Sequence, residues 1–219
     1  MKRCLCVAVA LAACSDPSHQ APTDGQPLQF TGELVDMESG NALFCGILGA
    51  QFTVHGDTTR TDTSNPNGRF MLTLVPAFRT QVDIAPPTAM SECSQPKSTY
   101  SHPAIIIADS DVINAGAMYS ARMYTDADAS KFSPDPAKAQ LVVHVEGTPR
   151  AVSITGTHAA AMAFDGTSWA AGNTGTNVLF PNVDVGSGTT NITMAGTTVG
   201  GGSAPIAANT FTFVTLVGK

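Results

Sequence analysis

Apolar and polar residues alternate over many short stretches of this chain. The alternation is clear at residues 69–75, where Phe70, Leu72 and Leu74 fall on one face of an extended chain. Turn signals separate such runs, the strongest being Asn-Pro-Asn-Gly at residues 65–68. Comparable short runs stand at residues 28–35, 50–55, 58–63 and 81–84. Runs that recur every 8–12 residues or so are typical of a β-sandwich.

The strand pattern continues through the rest of the chain. Residues 104–108 read AIIIA, an apolar run that predicts a buried strand, and residues 117–124 predict another. Further strand-like runs stand at residues 141–145, 151–155, 174–180, 191–194 and 210–217. The sequence therefore predicts an all-β fold class.

The pattern favours two tandem small β-sandwich modules, prealbumin-like or Ig-like. The first spans residues 28–124 and the second 138–219, joined by a linker at residues 125–137 that is rich in Asp, Ser and Pro. Similar segments follow Gly68 and Gly175, which stand 107 positions apart and indicate a diverged repeat. The alternative is one sandwich with no internal boundary.

The composition favours short strands and turns over long helices. The 219 residues include 20 Gly and 14 Pro, and only 13% of them are charged, against about 25% in average domains. The net charge of −6 argues against nucleic-acid binding, which needs a basic face. No run of 18 apolar residues is present, so the sequence predicts no membrane-spanning helix.

The N-terminus has the features of an export signal. Lys2 and Arg3 precede an apolar stretch, residues 4–13, that is too short to span a bilayer. It ends in Leu-Ala-Ala-Cys at residues 11–14, a motif that resembles the lipobox of bacterial lipoproteins. An ordinary secretory signal is the alternative, since small residues also precede its cleavage site. Residues 14–27, rich in Pro, Ser, Gly and Asp, predict a flexible tether.

The lipoprotein resemblance implies that residues 1–13, a lipoprotein signal peptide, are removed and that Cys14 is lipidated, which anchors the protein to a membrane. Ser15 follows that cysteine, and by analogy with the sorting rule of enteric bacteria it favours the outer membrane, on its periplasmic or its outer side. With Cys14 acylated, the resemblance leaves Cys45 and Cys93 in an oxidising compartment, where we expect a disulfide between them. A cysteine nucleophile is the alternative.

The first predicted module resembles the carboxypeptidase regulatory-like domain, a transthyretin-like β-sandwich. The resemblance rests on Gly-Glu-Leu-Val-Asp at 32–36, Ser-Gly-Asn-Ala-Leu at 39–43, Gly-Ala-Gln-Phe-Thr-Val at 49–54 and Asn-Gly-Arg-Phe-Met-Leu at 67–72. The glycines are expected where the backbone turns with positive φ or approaches a neighbour closely. An insertion at residues 44–48 departs from the family pattern. The family supplies no catalytic zinc, so the resemblance implies no peptidase activity.

Two groups of side chains suggest local chemistry. Trp169, the one tryptophan, stands in a polar segment with Asp165, and an aromatic ring beside hydrogen-bonding groups suits a sugar face. Core packing of the ring is the alternative. His144 and Glu146 are two residues apart, so on a strand they would share one face. We interpret them as a surface pair, with a metal or acid–base site as the alternative.

Metal ligands are incomplete elsewhere. Residues 63–74 place Asn65, Asn67 and Gly68 as a calcium loop would, but Thr63 and Leu74 stand where its first and last carboxylates belong. A turn is therefore expected there. The pairs Asp109 with Asp111 and Asp126 with Asp128 are interpreted as solvated loop charges, with an incidental cation site as the alternative.

These observations lead to three functional hypotheses. The first is a non-enzymatic, lipid-anchored cell-envelope protein that acts as a structural or interaction module, with the membrane and an envelope protein or glycan as partners. The second is a binding protein for a carbohydrate or another small ligand, with Trp169 in the site. The third is an envelope enzyme of unrecognised type. No catalytic residue, metal or cofactor is expected under the first.

Overall fold

The computed structural model describes residues 27–37, 46–75, 79–88, 99–109, 118–196 and 202–218. The elements of the first part are β1 (Leu28–Asp36), β2 (Gln51–Val54), β3 (Asp57–Thr63), β4 (Arg69–Leu74), β5 (Arg79–Ala85), β6 (Ala104–Asp109), β7 (Tyr119–Met123) and the helix α1 (Asp126–Ser130). Those of the second part are β8 (Ala139–Gly147), β9 (Arg150–Ile154), β10 (Met162–Phe164), β11 (Trp169–Ala171), β12 (Thr174–Gly175), β13 (Asn177–Val183), β14 (Thr189–Met194), β15 (Gly202–Pro205) and β16 (Phe211–Gly218). The predicted all-β fold class is confirmed.

Across the described ranges, the strands form three sheets. The central sheet has nine strands in the order β11-β10-β13-β8-β16-β6-β5-β2-β3. Its neighbours are antiparallel except at the centre, where β16 runs parallel to both β6 and β8. A three-stranded sheet has the order β4-β1-β7, and a four-stranded sheet has the order β12-β9-β14-β15.

The middle strands of the central sheet are buried on both faces. Along β6, Ile106 packs into one hydrophobic core, whereas its neighbours Ile105 and Ile107 pack into the other. The same alternation along β16 sends Phe213 into the first core and Val214 into the second. A strand covered on both sides needs apolar residues at every position, which explains the uninterrupted run at residues 104–108.

The first core lies between the three-stranded sheet and the central sheet. The alternation at residues 69–74 is confirmed, since Phe70, Leu72 and Leu74 are buried and the intervening residues are exposed. The ring of Phe70 stacks on that of Phe52, with centroids 3.9 Å apart, and joins the two sheets. Replacing a buried phenylalanine of this kind by alanine costs about 3–5 kcal/mol.

The second core lies on the opposite face of the central sheet, beneath the four-stranded sheet. Val152 of β9 and Ile192 of β14 are almost fully buried there. They pack in one cluster with Val143 of β8 and Phe180 of β13. The two cores are thus separated by the thickness of a single sheet.

Gly68 shows why a turn of the first module requires glycine. Gly68 has a φ of +72°, a conformation that other residues rarely adopt. A Cβ at this position would also lie too close to the carbonyl oxygen of Leu34 and only 2.6 Å from the Cα of Gly46. The expectation of positive φ with a close backbone approach is therefore confirmed at Gly68. Gly175, its proposed counterpart in a repeat, lies in β12 without positive φ, so the two positions differ in geometry.

The span predicted as a linker contains a packed helix. Thr125 begins α1 as its N-cap, and its side chain accepts a hydrogen bond from the backbone N–H of Asp128 at 3.0 Å. Ala129 and Phe132 are buried in the first core, where Phe132 packs edge-on against Tyr124. A capping threonine and an apolar anchor thus fold part of residues 125–137 against the core.

Strands from both predicted modules share the central sheet, because β16 lies between β6 and β8. The domain boundaries at residues 124 and 138 stay a prediction. Within the described part of the chain, no helix is both long and apolar enough to cross a membrane.

Candidate functional site

An open cavity of about 350 Å³ runs along β7, where the three-stranded sheet ends above the central sheet. Tyr119, Ser120 and Arg122 of β7 form one wall, and Met37 and Met118 flank it. The floor comes from strands of the central sheet. We call this cavity the β7 groove; its other lining residues are Ile106, Ile107, Val142, His144, Glu146, Asn177, Phe213, Val214 and Thr215.

Much of the groove floor is apolar and belongs to the first core. Ile106 and Val142 are at most 1% exposed, and Phe213 is 8% exposed. At the rim, the side chain of Met118 is 52% exposed, and thioethers adapt readily to irregular apolar partners. The floor can therefore receive apolar groups from a ligand, while its own shape is fixed by core packing.

The other end of the groove is polar, because the central sheet brings three side chains into one row. The register pairs Asn177 of β13 with His144 of β8, and His144 with Thr215 of β16. His144 Nδ1 lies 3.0 Å from Asn177 Oδ1, so a protonated Nδ1 donates to the amide oxygen. The predicted shared face of His144 and Glu146 is confirmed: both are exposed and line the groove. Asn177 is the hydrogen-bond partner of His144.

Two opposite charges line the groove without neutralising each other. Arg122 is half-buried on β7, and Glu146 is exposed on β8. Among the described residues, neither side chain has a hydrogen bond or an ion-pair partner within 4 Å. A guanidinium has five N–H donors arranged to meet a carboxylate. Within the described part of the chain, those donors have no acceptor, so they can meet an acidic group of a ligand in the groove.

Trp169 and Asp165 lie together in the hairpin of β10 and β11, away from the groove lining. The Trp169 ring packs on Phe132 and Phe164, with centroid distances of 5.5 Å and 5.2 Å, and is half-buried against the first core. Its indole N–H is buried and has no acceptor within the described ranges. These contacts favour the core-packing alternative, and a ligand role for the pair stays a prediction.

The carboxylate of Asp165 serves its own turn. Its Oδ1 accepts the backbone N–H groups of Thr167 and Ser168, each at 2.8 Å. These bonds, the one from Ser168 first, hold the pKa of Asp165 below its ordinary value. The geometry is that of an Asx turn, which fixes the hairpin.

The calcium-like segment is a turn, as expected. The side-chain oxygen of Asn65 accepts the backbone N–H groups of Asn67 at 2.9 Å and Arg69 at 3.0 Å. Ser64 is buried, and its hydroxyl donates to the carbonyl of Ile47 at 2.6 Å. The side-chain oxygens of Asn65 and Ser64 are thus hydrogen-bonded to backbone groups.

Asp126 and Asp128 hold α1 in place. Asp126 accepts the Thr99 hydroxyl at 2.6 Å and both the N–H and the hydroxyl of Ser101 at 2.7 Å. Partial burial alone would raise the pKa of Asp126, but these hydrogen bonds outweigh it and the pKa is lowered. Asp128 binds Lys131 at 2.6 Å. The described residues contain no group of three or more His, Cys, Asp or Glu side chains that could hold a metal ion.

Several predicted sites lie outside the described residues. They include the signal peptide, nearly all of the tether with the lipidation site Cys14, the cysteines Cys45 and Cys93, and Asp111 with the side chain of Asp109. Lipidation and the disulfide therefore stay predictions.

The sequence did not single out Arg122, Asn177 or Thr215. Each is an ordinary polar residue on a strand, and only the pairing of distant strands brings it to the groove. The one signal for this site was the His144–Glu146 spacing, which placed both on one face.

Comparisons with known proteins assign no family. No protein-family model matches the chain, and no curated protein matches it. Among solved structures, the chain is similar to the Bacillus anthracis TIE protein, with 9% identity, a TM-score of 0.30, and coverage of 87% of this chain and 33% of that one. It thus spans about a third of that protein.

Two mutant forms of the shaft pilin SpaA from Lactobacillus rhamnosus GG are also similar to the chain. The single mutant has 9% identity and a TM-score of 0.29, and the double mutant 11% and 0.27. Each alignment covers 89% of this chain and 98% of the pilin. At TM-scores this low, the similarities carry no weight for fold or function.

Proposed function

We propose that this protein is a non-enzymatic lipoprotein of the bacterial cell envelope that acts as an interaction module through the β7 groove. The observation that carries the proposal is the groove itself, with an apolar floor, a polar end and two charges that have no ion-pair partner among the described residues. Concave sites with an apolar base and a few placed polar groups are the usual form of binding sites in proteins.

The scaffold supports this role. The strands that form the groove floor are packed on both faces, so the floor is held by two cores at once. A surface held in this way changes little when a partner binds, which lowers the ordering cost of binding. The wall strand β7 is fixed by β1 over its whole length, from Tyr119 to Met123.

The membrane anchor and the family complete the proposal. Lipidation of Cys14 would leave the folded part on the tether of residues 14–27, which can reach roughly 40 Å when extended. We propose the outer membrane as the location and a carboxypeptidase regulatory-like, transthyretin-like ancestry for the first module, on the sequence motifs given above. Intact-mass analysis of membrane-extracted protein should show the loss of residues 1–13 and an added diacylglycerol. An unmodified mature mass would contradict the anchor.

Site-specific crosslinking in cells tests the interaction role. A photoreactive amino acid replaces Met118 at the groove rim, and the control places it at Met71 on the opposite edge of the same sheet. The two methionines are 52% and 53% exposed, so they are matched in accessibility. We expect discrete crosslinked products from position 118 and none from position 71. The same products from both positions, or none from either, would contradict the proposal.

Binding of a carbohydrate or another small ligand is the second candidate. The row of Asn177, His144 and Thr215 favours it, since amide, imidazole and hydroxyl groups suit the hydroxyls of a sugar. A glycan array with the wild type and with Asn177→Ala tests this candidate. Glycan retention by the wild type that is lost in Asn177→Ala would support this candidate. If retention is instead lost only in a Trp169→Ala variant, the glycan binds at the β10–β11 hairpin and not in the groove.

A further inference from the structure

We propose that the β7 groove accepts an extended peptide as an added strand on the edge of β7, with an acidic side chain of the peptide bound to Arg122. This proposal rests on the function proposed above and names the partner's chemistry. It draws on three features: an edge strand, an apolar floor beneath it, and a cation that lacks a partner among the described residues.

Among the described residues, no strand pairs with the edge of β7 that faces away from β1. In the described part of the chain, β1 is the one strand that pairs with β7, in a parallel register from Gly32–Tyr119 to Asp36–Met123, and the N–H of Met37 just beyond β1 donates to the carbonyl of Met123 at 2.8 Å. A strand paired on one side presents a row of backbone N–H and C=O groups on the other. Such edges bind extended peptides by adding a strand.

Two other edge strands, β4 and β3, are protected against pairing in ways that β7 is not. On β4, the opposite edge of the same sheet, the backbone N–H of Met71 donates to the Asp62 carboxylate at 2.6 Å. The edge strand β3 reads DTTRTDT, and its charges disfavour pairing with another chain. Strand β7 carries one charge, that of Arg122, and this side chain lines the groove.

The floor lies where the side chains of an added strand would point. Neighbouring strands lie about 4.8 Å apart, and packed sheets about 10 Å apart. A strand beside β7 would therefore lie above the central sheet and direct every second side chain towards Val142 and Phe213. These residues already belong to the first core, so apolar side chains of the peptide would extend that core.

Arg122 supplies the charge preference. It is half-buried and has no carboxylate within 4 Å among the described residues, so an acidic group is its natural complement. Glu146 lines the same groove and would repel a second acidic group placed next to it. The preferred peptide thus alternates apolar and polar residues and carries a single acid near Arg122. A small free carboxylate shares only the last of these features.

Peptide titrations test the proposal with the full chain in detergent. The probe is a fluorescein-labelled heptapeptide, Val-Thr-Val-Glu-Val-Thr-Val, with three comparison ligands. These are the peptide with Gln in place of Glu, the same Glu peptide N-methylated at alternate residues, and glutarate alone. Fluorescence anisotropy gives the affinities of the peptides, and glutarate is tested as a competitor. Amide hydrogen exchange at residues 119–123 reports strand pairing.

We expect the Glu peptide to bind about tenfold or more tightly than the Gln peptide, as a charge-assisted hydrogen-bonded pair implies. Arg122→Gln should remove that difference. The matched control Arg69→Gln, on the exposed side of β4, should keep it. The N-methylated peptide should not bind, and the amides of residues 119–123 should exchange more slowly with the Glu peptide.

Each contrary result would overturn the proposal. Equal binding of the N-methylated peptide, or competition by glutarate at the affinity of the peptide, would show that no strand is added. Equal affinities of the Glu and Gln peptides for the wild-type protein would contradict the pairing of Arg122 with an acidic side chain. This comparison does not depend on whether the Arg122 variant folds. If no peptide binds while position 118 still crosslinks in cells, strand addition fails and the interaction role stands.

Discussion

Removing the carboxylate of Asp126 should loosen the attachment of α1 to the loop before β6. In the native protein this carboxylate accepts hydrogen bonds from the Thr99 hydroxyl at 2.6 Å and from the N–H and hydroxyl of Ser101 at 2.7 Å. A hydrogen bond to a charged group contributes about 1.5–3 kcal/mol when buried. These three bonds are accessible to water, which can replace them in part, so we expect Asp126→Ala to lower the free energy of unfolding by about 2 kcal/mol.

The effect should depend on pH in a defined direction. The pKa of Asp126 is lowered in the folded protein: burial acts against this, and the hydrogen bonds from Thr99 and Ser101 prevail. A carboxyl group whose pKa is lowered on folding binds its proton more readily in the unfolded chain. Its contribution to stability is therefore complete above its unfolded pKa of about 3.9 and disappears as the pH falls through the lower folded value.

Urea unfolding at pH 7 and at pH 3 measures both effects. At pH 7, a loss of about 2 kcal/mol should lower Tm by about 4–8 °C in a chain of this size. Other carboxyl groups also titrate at pH 3, so the informative quantity is the difference between wild type and variant at each pH. That difference should shrink on acidification. The free energy of unfolding of Asp126→Asn, which keeps one acceptor oxygen, should lie between those of the wild type and Asp126→Ala. A difference below about 0.5 kcal/mol at pH 7, or one that is unchanged at pH 3, would refute the reasoning.

Three further predictions concern the turns, the tryptophan and the cysteines. Gly68→Ala should destabilise the protein by about 2 kcal/mol or more in urea unfolding, whereas Gly56→Ala, at a similar φ of +78° with nothing within 4 Å of its Cβ, should be milder. Trp169→Ala should lower stability by about 2–3 kcal/mol, since the ring packs against the first core, and an unchanged unfolding midpoint would contradict that packing. Alkylation of the unfolded chain without reductant should leave Cys45 and Cys93 unlabelled, and labelling of both would contradict the predicted disulfide.

Local periodicity was sufficient to predict most strands of the first core. Burial alternates along β4 as the residue pattern indicates, and the apolar run at residues 104–108 forms the buried strand β6. Both signals arise from which face of a single strand is covered, and that information is contained within six or seven residues. The helix α1 was missed because five residues are too few to show helical periodicity, although Thr125 and Asp128 have the spacing of an N-cap.

The order of strands in the central sheet could not be read from the same patterns. The residues of β16 indicate that it is an apolar, buried strand, but they do not indicate which strands lie on either side of it. The structure places this last strand between β6 and β8 and parallel to both. Parallel neighbours require long connections, so the partner of a strand is set by the packing of the whole fold. The residue pattern therefore predicts the individual strands and the all-β class, while the neighbours of β16 come only from the structure.

The same limit explains why Arg122 was not recognised. That Arg122 lines one groove with Phe213 and Glu146 depends on two pairings: β7 with β1, and β16 with β8. Had β16 remained with the second predicted module alone, the floor beneath β7 would have lacked Phe213. The strand that joins the two halves of the fold is thus also the strand that supplies the groove's apolar floor. Substitutions that disturb the parallel pairing of β16 with β6 should therefore alter the groove as well as the stability of both cores.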